Sequence, residues 1–139
     1  KPGRLTPEEF EIMKTHTTIG ANMLFELGRH HVANALMEYA YQIARWHHER
    51  WDGKGYPDGL KGDEIPIAAQ VVSVADVYDA LTSVRVYKDA IPHKEAIQMI
   101  LDGKCGTFNP LLLDCLLEVQ DRIAETLARP ADVVAFPTI

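Results

Sequence analysis

Residues 71–81, VVSVADVYDAL, decide the fold class of this chain. Drawn as a helix, the segment is apolar on nearly all sides, which is typical of a helix at the centre of a domain. Its β-branched residues would also suit a strand. The longer segment 67–84 favours a helix because of its length and because of its small residues, which are Ala68, Ala69, Ala75 and Ala80. We therefore predict a buried central helix over 67–84.

Two further helices are predicted before this segment. Thr6 can cap a first helix that begins at Pro7, and Glu9 completes a capping box. That helix carries an apolar stripe at helical spacing and is predicted to end near Gly28. A second helix is predicted over 32–48. The apolar positions are Ile12, Ile19, Met23 and Leu27 in the first helix and Leu36, Ala40 and Ile43 in the second.

The rest of the chain completes an all-α pattern. Residues 49–66, ERWDGKGYPDGLKGDEIP, contain four glycines and two prolines and are predicted to form an ordered loop. A fourth helix is predicted over 93–102, and a fifth begins with Asn109 as its cap and Pro110 at its first position. The tail 129–139 is predicted to be irregular. The expected architecture is an all-α helical bundle of about five helices.

Composition narrows the class of protein. The chain has 139 residues, of which 47% are hydrophobic and 24% charged, so it fits one domain with its own core. Its net charge of −6 argues against a general binder of polymeric nucleic acid or anionic membranes, but leaves open an anionic small substrate. No apolar run approaches the roughly 20 residues that span a bilayer. Cys105 and Cys115 follow no metal or redox spacing, so we interpret them as reduced thiols of a cytoplasmic protein.

Three histidines occupy positions where a polar residue is unusual. His16 interrupts the apolar stripe of the first helix. His47 ends the apolar face of the second helix, and His48 follows it, turned by about 100°. A single histidine of this kind is most often a buried, hydrogen-bonded residue. An adjacent pair at the end of an inward-facing helix makes a metal site a stronger alternative.

Two acidic and two basic residues extend this hypothesis. Asp76 and Asp79 lie inside the most apolar helix, where an unpaired buried carboxylate is costly, so we expect a positive partner. Imidazole and carboxylate are common ligands of Fe, Mn or Zn, and a bond to an Arg, a His or a backbone amide is the equal alternative. Arg85 and Lys88, three positions apart, could hold phosphate oxygens, although a surface pair is the simpler interpretation of these two residues alone.

Residues 47–57, HHERWDGKGYP, resemble the HHExxDGxGYP signature of HD-GYP domains, the all-α cyclic di-GMP phosphodiesterases of bacteria. Other segments agree in order and spacing, namely MKTHTTIGA around His16, VADVYDALTSVRVYK from residue 74, and CGTFNPLLLD from residue 105. The last of these has Asn109 where the family usually has Asp. The resemblance covers nearly the whole chain.

The resemblance implies a role for each matching residue. The implied metal ligands are His16, His47, His48 and Asp76, for two or three Fe or Mn ions in the complete domain. Arg85 and Lys88 would grip the guanylate phosphates, and Tyr56 would lie near the substrate or a partner surface. The implied supporting positions of the motif are Glu49, Asp52, Gly53, Gly55 and Pro57. Asp79 could bind metal, support a ligand or pair with a neighbour. The product would be the linear dinucleotide or GMP.

The chain departs from the family in one respect. It contains no His-Asp dipeptide, whereas in the family the HD motif precedes the segment that here reads KPGRLTPEE. We therefore expect residues 1–139 to be the C-terminal part of a single, N-terminally truncated HD-GYP domain. Half of the ligand set would then leave the chain inactive by itself. A receiver or sensory domain is expected in the parent protein.

Two other functions compete with the phosphodiesterase. The first is a non-catalytic module that docks GGDEF-type partners through the GYP loop, with Trp51 and Tyr56 as anchors if they are exposed. The second, which is weaker, is a hydrolase of another phosphoester. An exposed apolar face would also favour a homodimer.

Overall fold

The computed structural model describes residues 3, 5–30, 35–84 and 89–128, with the backbone alone for residues 30, 127 and 128. Five α-helices and no strand occur in these ranges, which confirms the all-α fold class. They are α1 (Pro7–His30), α2 (Ala35–Trp46), α3 (Ile67–Thr82), α4 (His93–Leu101) and α5 (Pro110–Ala128). A short 3-10 helix, Gly62–Glu64, lies in the loop between α2 and α3. The tail 129–139 lies outside the described residues.

Among the described residues, those up to 109 form one compact unit and those from 110 onward a second. In the first unit, α1 packs on α2, α2 on α3, and α3 on α4. The second unit contains α5, which begins at Pro110, as predicted from the fit of proline to the first helical position. Within the described ranges, no helix combines the length and the apolar character that crossing a membrane requires.

The predicted start of α1 is confirmed, whereas its predicted end is wrong. Thr6 N donates to Glu9 Oε2 at 2.8 Å and Glu9 N donates to Thr6 Oγ1 at 3.2 Å, so the capping box is formed. The helix continues past Gly28 to His30. Gly28 does not adopt the positive φ of a helix-ending glycine. A glycine inside a helix costs only about 1 kcal/mol, which neighbouring contacts can offset.

Small residues bring α1 and α2 close together. Thr17 and Ala21 are fully buried, and a Cβ added to Gly20 would lie 3.8 Å from the Cβ of Ala44. The apolar stripe of α1 lies elsewhere, since Ile12 is 71% exposed. Small side chains therefore allow the close approach of the two helices, and the stripe faces outward in the described structure.

The prediction that the third helix is buried on all sides is wrong. Ile67 and Val71 are exposed, and so are Ala75 and Asp79, which follow at the same four-residue spacing. The buried face of α3 contains Ala69, Gln70, Ser73, Val74, Tyr78 and Leu81. Asp76 is exposed as well. The expected cost of burying Asp76 and Asp79 therefore does not arise, and their environment does not require a cation to face them.

Candidate metal centre

Three imidazoles meet where α1 passes the end of α2. Each of His16, His47 and His48 offers a ring nitrogen, and these three atoms lie within 4.8 Å of one another. His16 comes from the middle of α1, whereas the other two follow directly after Trp46, the last residue of α2. The ring centroids of His16 and His48 are 5.1 Å apart, and those of His47 and His48 are 4.0 Å apart. Two segments that are distant in sequence thus supply one cluster.

Backbone hydrogen bonds orient two of these rings. His16 Nδ1 lies 2.7 Å from the carbonyl oxygen of Met13, and His47 Nδ1 lies 2.8 Å from that of Ile43. A carbonyl oxygen only accepts, so each Nδ1 carries the proton and donates it. The lone pair of each neutral ring is therefore on Nε2, the usual arrangement of a metal-binding histidine.

The Nε2 atoms of His16 and His47 lie close together. When both rings are neutral, neither of these atoms carries a proton that it could donate to the other. The distance from His16 Nε2 to His47 Nε2 is 3.4 Å. Two lone pairs at this distance repel each other unless a proton or a metal cation is shared between them. The donor set therefore fits a divalent cation that accepts nitrogen ligands, such as Fe, Mn or Zn.

The third ring is kept neutral by its surroundings. Burial, followed by the charges that His47 and His16 carry when protonated and by the charge of Arg50, lowers the pKa of His48 to about 3. A metal binds only the deprotonated form of a histidine. His48 therefore has a free lone pair at neutral pH.

The acidic residues predicted as ligands lie on α3. Asp76 is not a member of the three-histidine cluster. Its charge acts on Tyr56: burial raises the pKa of Tyr56, and the Asp76 carboxylate adds to that rise. Asp79 accepts a hydrogen bond from Ser83 Oγ at 3.0 Å, which places its side chain at the end of α3. Arg85 and Lys88, the predicted phosphate-binding pair, lie outside the described residues.

The GYP segment folds back onto the histidines. Tyr56 N donates to the carbonyl oxygen of His48 at 3.3 Å, and the Tyr56 ring stacks on the His48 ring. The peptide bond from Tyr56 to Pro57 is cis. A Cβ on Gly55 would overlap the backbone of Glu49 and Arg50. The chain can cross itself at this point only because residue 55 has no side chain.

The carboxylates of Glu49 and Asp52 hold the rest of the loop by hydrogen bonds, and Gly53 allows one of its turns. Glu49 is 2% exposed, and its Oε1 accepts from the backbone N–H groups of Asp58 at 2.7 Å and Gly59 at 3.0 Å. Burial raises the pKa of Glu49. Asp52 accepts from Lys54 N at 3.1 Å and from Thr107 Oγ1 at 3.3 Å. Gly53 has a φ of +79°, a conformation that glycine adopts without strain.

Sequence reasoning missed three residues around the site, namely Arg45, Arg50 and Asp58. Asp58 accepts two hydrogen bonds from Arg45 and one from Trp46. Arg50 donates to Ser73 Oγ at 2.6 Å and lies over the Phe108 ring at 5.4 Å, so it joins the loop to α3 and to residue 108. Burial lowers the pKa of this guanidinium. Asp58 directly follows the GYP motif, and that position is the only signal in the sequence that could have found it.

Comparisons with known proteins find relatives that match most of this chain. A family model for the HD domain matches residues 1–110. A relative from Vibrio cholerae, named a probable cyclic di-GMP phosphodiesterase, is 44% identical over 133 residues, which are 95% of this chain and 30% of the relative. A cyclic di-GMP phosphodiesterase from Thermotoga maritima is 45% identical over 134 residues, which are 95% of this chain and 34% of the relative.

A third relative is named for a different substrate. The 3'3'-cGAMP-specific phosphodiesterase 2 of Vibrio cholerae is 40% identical over 121 residues, which are 87% of this chain and 22% of that protein. The chain thus spans about a third or less of the length of these curated relatives.

The match over residues 1–110 shows that the chain belongs to the HD domain family. The resemblance to HD-GYP domains, drawn from residues 47–57, is confirmed by this match together with the names of the relatives.

Proposed function

We propose that this chain supplies the metal-binding and substrate-binding residues of a metal-dependent phosphodiesterase that hydrolyses cyclic di-GMP. The observation that carries the proposal is the cluster of three imidazoles, His16, His47 and His48, with nitrogens within 4.8 Å of one another. The names of the relatives support this substrate class. The chain is proposed to be part of a single HD-GYP domain in a bacterial second-messenger pathway of the cytoplasm.

The three histidines would hold a divalent metal, with Fe or Mn as the proposed ion. When bound, such an ion activates water for attack on phosphorus and stabilises negative charge on phosphoryl oxygens. Asp76 is proposed as a further ligand, which its position near Tyr56 supports. The backbone carbonyls of Met13 and Ile43 fix which nitrogen of His16 and His47 is presented. The complete domain is proposed to hold two or three ions.

The proposed substrate contacts surround this cluster. Arg85 would bind a phosphate as a planar fork and Lys88 as a point charge. Tyr56 lies beside His48 and would contact the bound dinucleotide. These cations are proposed to hold the phosphodiester in place while its negative charge increases.

A direct test is the hydrolysis of cyclic di-GMP by the full-length protein. Lys88→Ala should raise KM at least about tenfold, because a charge-assisted contact to phosphate contributes roughly 1.5–3 kcal/mol. Lys94→Ala removes an exposed lysine at the start of α4 and is the matched control, with unchanged kinetics expected. No turnover of cyclic di-GMP by the unmodified protein would overturn the proposal.

The same assay distinguishes neighbouring substrates and the isolated chain. Because one relative is named for 3'3'-cGAMP, a preference for that dinucleotide would correct the substrate and keep the chemistry. Cyclic di-GMP turnover that is insensitive to Lys88→Ala would favour a hydrolase of another phosphoester. We expect little or no hydrolysis by residues 1–139 alone, since the proposed ligand set is incomplete.

The non-catalytic docking module and the other proposed partners remain predictions. Trp51 and Tyr56 are both partly buried, so neither is a freely exposed anchor for a GGDEF-domain protein. A receiver or sensory domain is proposed upstream. A homodimer is proposed through the apolar stripe of α1, where Ile12 is 71% and Met23 63% exposed. Sedimentation of the chain as a monomer at high concentration would count against this homodimer.

A further inference from the structure

Tyr56 packs face to face on one imidazole of the cluster. The ring centroids of Tyr56 and His48 are 4.8 Å apart, and the planes of the two rings differ by 28°. Phe10 meets the Tyr56 ring edge-on at 6.1 Å, and Lys14 Nζ lies 5.7 Å from the same ring centroid. Tyr56 is therefore held between His48 and residues of α1, and its freedom to rotate is small.

His48 differs from the other two histidines in what orients it. Each of His16 and His47 donates Nδ1–H to a backbone carbonyl. Within the described part of the chain, the His48 ring nitrogens form no such bond. The His48 ring contacts the rings of His47, His16 and Tyr56, and of these Tyr56 is the partner from outside the cluster that can help to fix its plane. Metal-binding histidines need such a supporting partner, and its loss typically costs 10–100-fold in metal affinity.

Asp58 holds the segment that carries Tyr56. Its two carboxylate oxygens accept from Arg45 Nε at 2.8 Å and Nη2 at 2.9 Å, and Oδ2 also accepts from Trp46 Nε1 at 2.7 Å. The backbone N–H of Asp58 donates to Glu49 Oε1 at 2.7 Å. Two of the residues that hold Asp58, Trp46 and Glu49, directly flank His47 and His48 in the chain, and Arg45 precedes Trp46.

We propose that Tyr56 is a positioning residue for His48, and that Asp58, through Arg45 and Trp46, holds Tyr56 in its stacked position. This inference deepens the proposed function. Its statement about metal affinity rests on that function, whereas its statement about the position of Tyr56 does not. It assigns to Asp58 control over metal affinity although Asp58 is not a ligand. The turn at Tyr56 and Pro57, held by the two hydrogen bonds between Arg45 and Asp58, would thus keep the His48 ring in place.

The metal-free chain provides the first test. A ring stacked at this distance shifts the proton resonances of its neighbour, so the NMR signals of the His48 ring include a shift caused by Tyr56 beside those caused by His47 and His16. We expect Tyr56→Leu to abolish this shift, Tyr56→Phe to keep it, and Asp58→Asn to reduce it. An unchanged His48 shift in Asp58→Asn would overturn the proposal that Asp58 positions Tyr56.

Binding of Mn²⁺, measured by calorimetry, provides the second test. Asp58→Asn and Tyr56→Leu should each weaken binding about tenfold. The double variant should also lose only about tenfold in Mn²⁺ affinity, because the two residues act through one contact. The matched control is Asp102→Asn, since the Asp102 carboxylate also accepts from one neutral donor, the Gln98 amide, and faces one cation, Lys104.

The outcomes separate this inference from the proposed function. Additive losses in the double variant, or equal losses in Asp58→Asn and Asp102→Asn, would overturn the coupling of Asp58 to Tyr56. If the unmodified chain bound no Mn²⁺ while the NMR shifts changed as expected, the metal site would fail and the positioning of His48 would stand. Retained binding in Tyr56→Phe together with loss in Tyr56→Leu would support stacking rather than general destabilisation.

Discussion

Arg45 and Asp58 form a two-point ion pair across 13 positions of the chain, with N–O distances of 2.8 and 2.9 Å. The pair joins the last turn of α2 to the residue after the GYP motif. Both side chains are partly exposed, at 23% and 33%. Two parallel hydrogen bonds fix the relative orientation of the planar groups, so the pair limits the movement of the loop more than a single contact would.

Asp58→Asn should remove an acid-dependent part of the stability. Hydrogen bonds from Arg45 and then Trp46 lower the pKa of Asp58 below its ordinary value. The stability that this pair contributes is therefore complete above about pH 3.9 and is lost as pH falls through the folded-state pKa. Urea unfolding should give a loss of about 1 kcal/mol or less at pH 7 and a smaller difference from the unmodified chain at pH 3. An equal loss at both pH values would contradict this.

Gly55→Ala should severely destabilise the loop. The added Cβ would lie 2.6 Å from the carbonyl carbon of Glu49 and would also overlap its Cα, and backbone atoms cannot move aside as a flexible side chain can. We expect the free energy of unfolding to fall by about 3 kcal/mol or more, measured by urea titration.

Gly28→Ala is the control for this glycine substitution. Gly28 lies inside α1, and nothing lies within 4 Å of an added Cβ. Alanine favours a helix over glycine by about 1 kcal/mol, so this variant should be as stable as the unmodified chain or more stable. Similar losses in both glycine variants would contradict the close crossing at residue 55.

Tyr78→Phe should reduce stability in a way that depends on alkaline pH. The Tyr78 hydroxyl shares a 2.8 Å hydrogen bond with His93 Nδ1, and burial raises the pKa of Tyr78. Stability from the neutral hydroxyl is therefore complete below about pH 10 and is lost as pH rises through the folded-state pKa. We expect a loss of about 1–2 kcal/mol at pH 8, with a smaller difference at pH 10.5.

Tyr39→Phe is the matched control for Tyr78→Phe, because Tyr39 is 54% exposed. Its unfolding free energy should stay within about 0.5 kcal/mol of that of the unmodified chain. If Tyr78→Phe lowered the free energy of unfolding equally at pH 8 and pH 10.5, the link between this hydroxyl and alkaline pH would be wrong.

Local features of the fold could be predicted because local chemistry determines them. The capping box of Thr6 and Glu9 involves residues three positions apart, and proline at position 110 suits a helix start. The exposed face of α3 could not be predicted in this way. Apolar composition indicates that a segment avoids water, but not which of its sides the neighbouring helices cover.

The candidate site was likewise predictable in part. The sequence singled out His16, His47 and His48, and the structure brings them together. The pairing of Arg45 with Asp58 follows no helical period, because the loop between them sets it, so the spacing carried no signal. The roles assigned to Asp76, Arg85 and Lys88 stay predictions.

The most direct test of the account is the metal content of the chain, purified without chelator and measured by elemental analysis. His47→Ala removes a proposed ligand, and His93→Ala removes a histidine that bonds to Tyr78 outside the cluster. We expect Fe or Mn at about one ion per chain in the unmodified protein and in His93→Ala, and loss of the metal in His47→Ala. Absence of metal from the unmodified chain, or equal metal in His47→Ala, would contradict it.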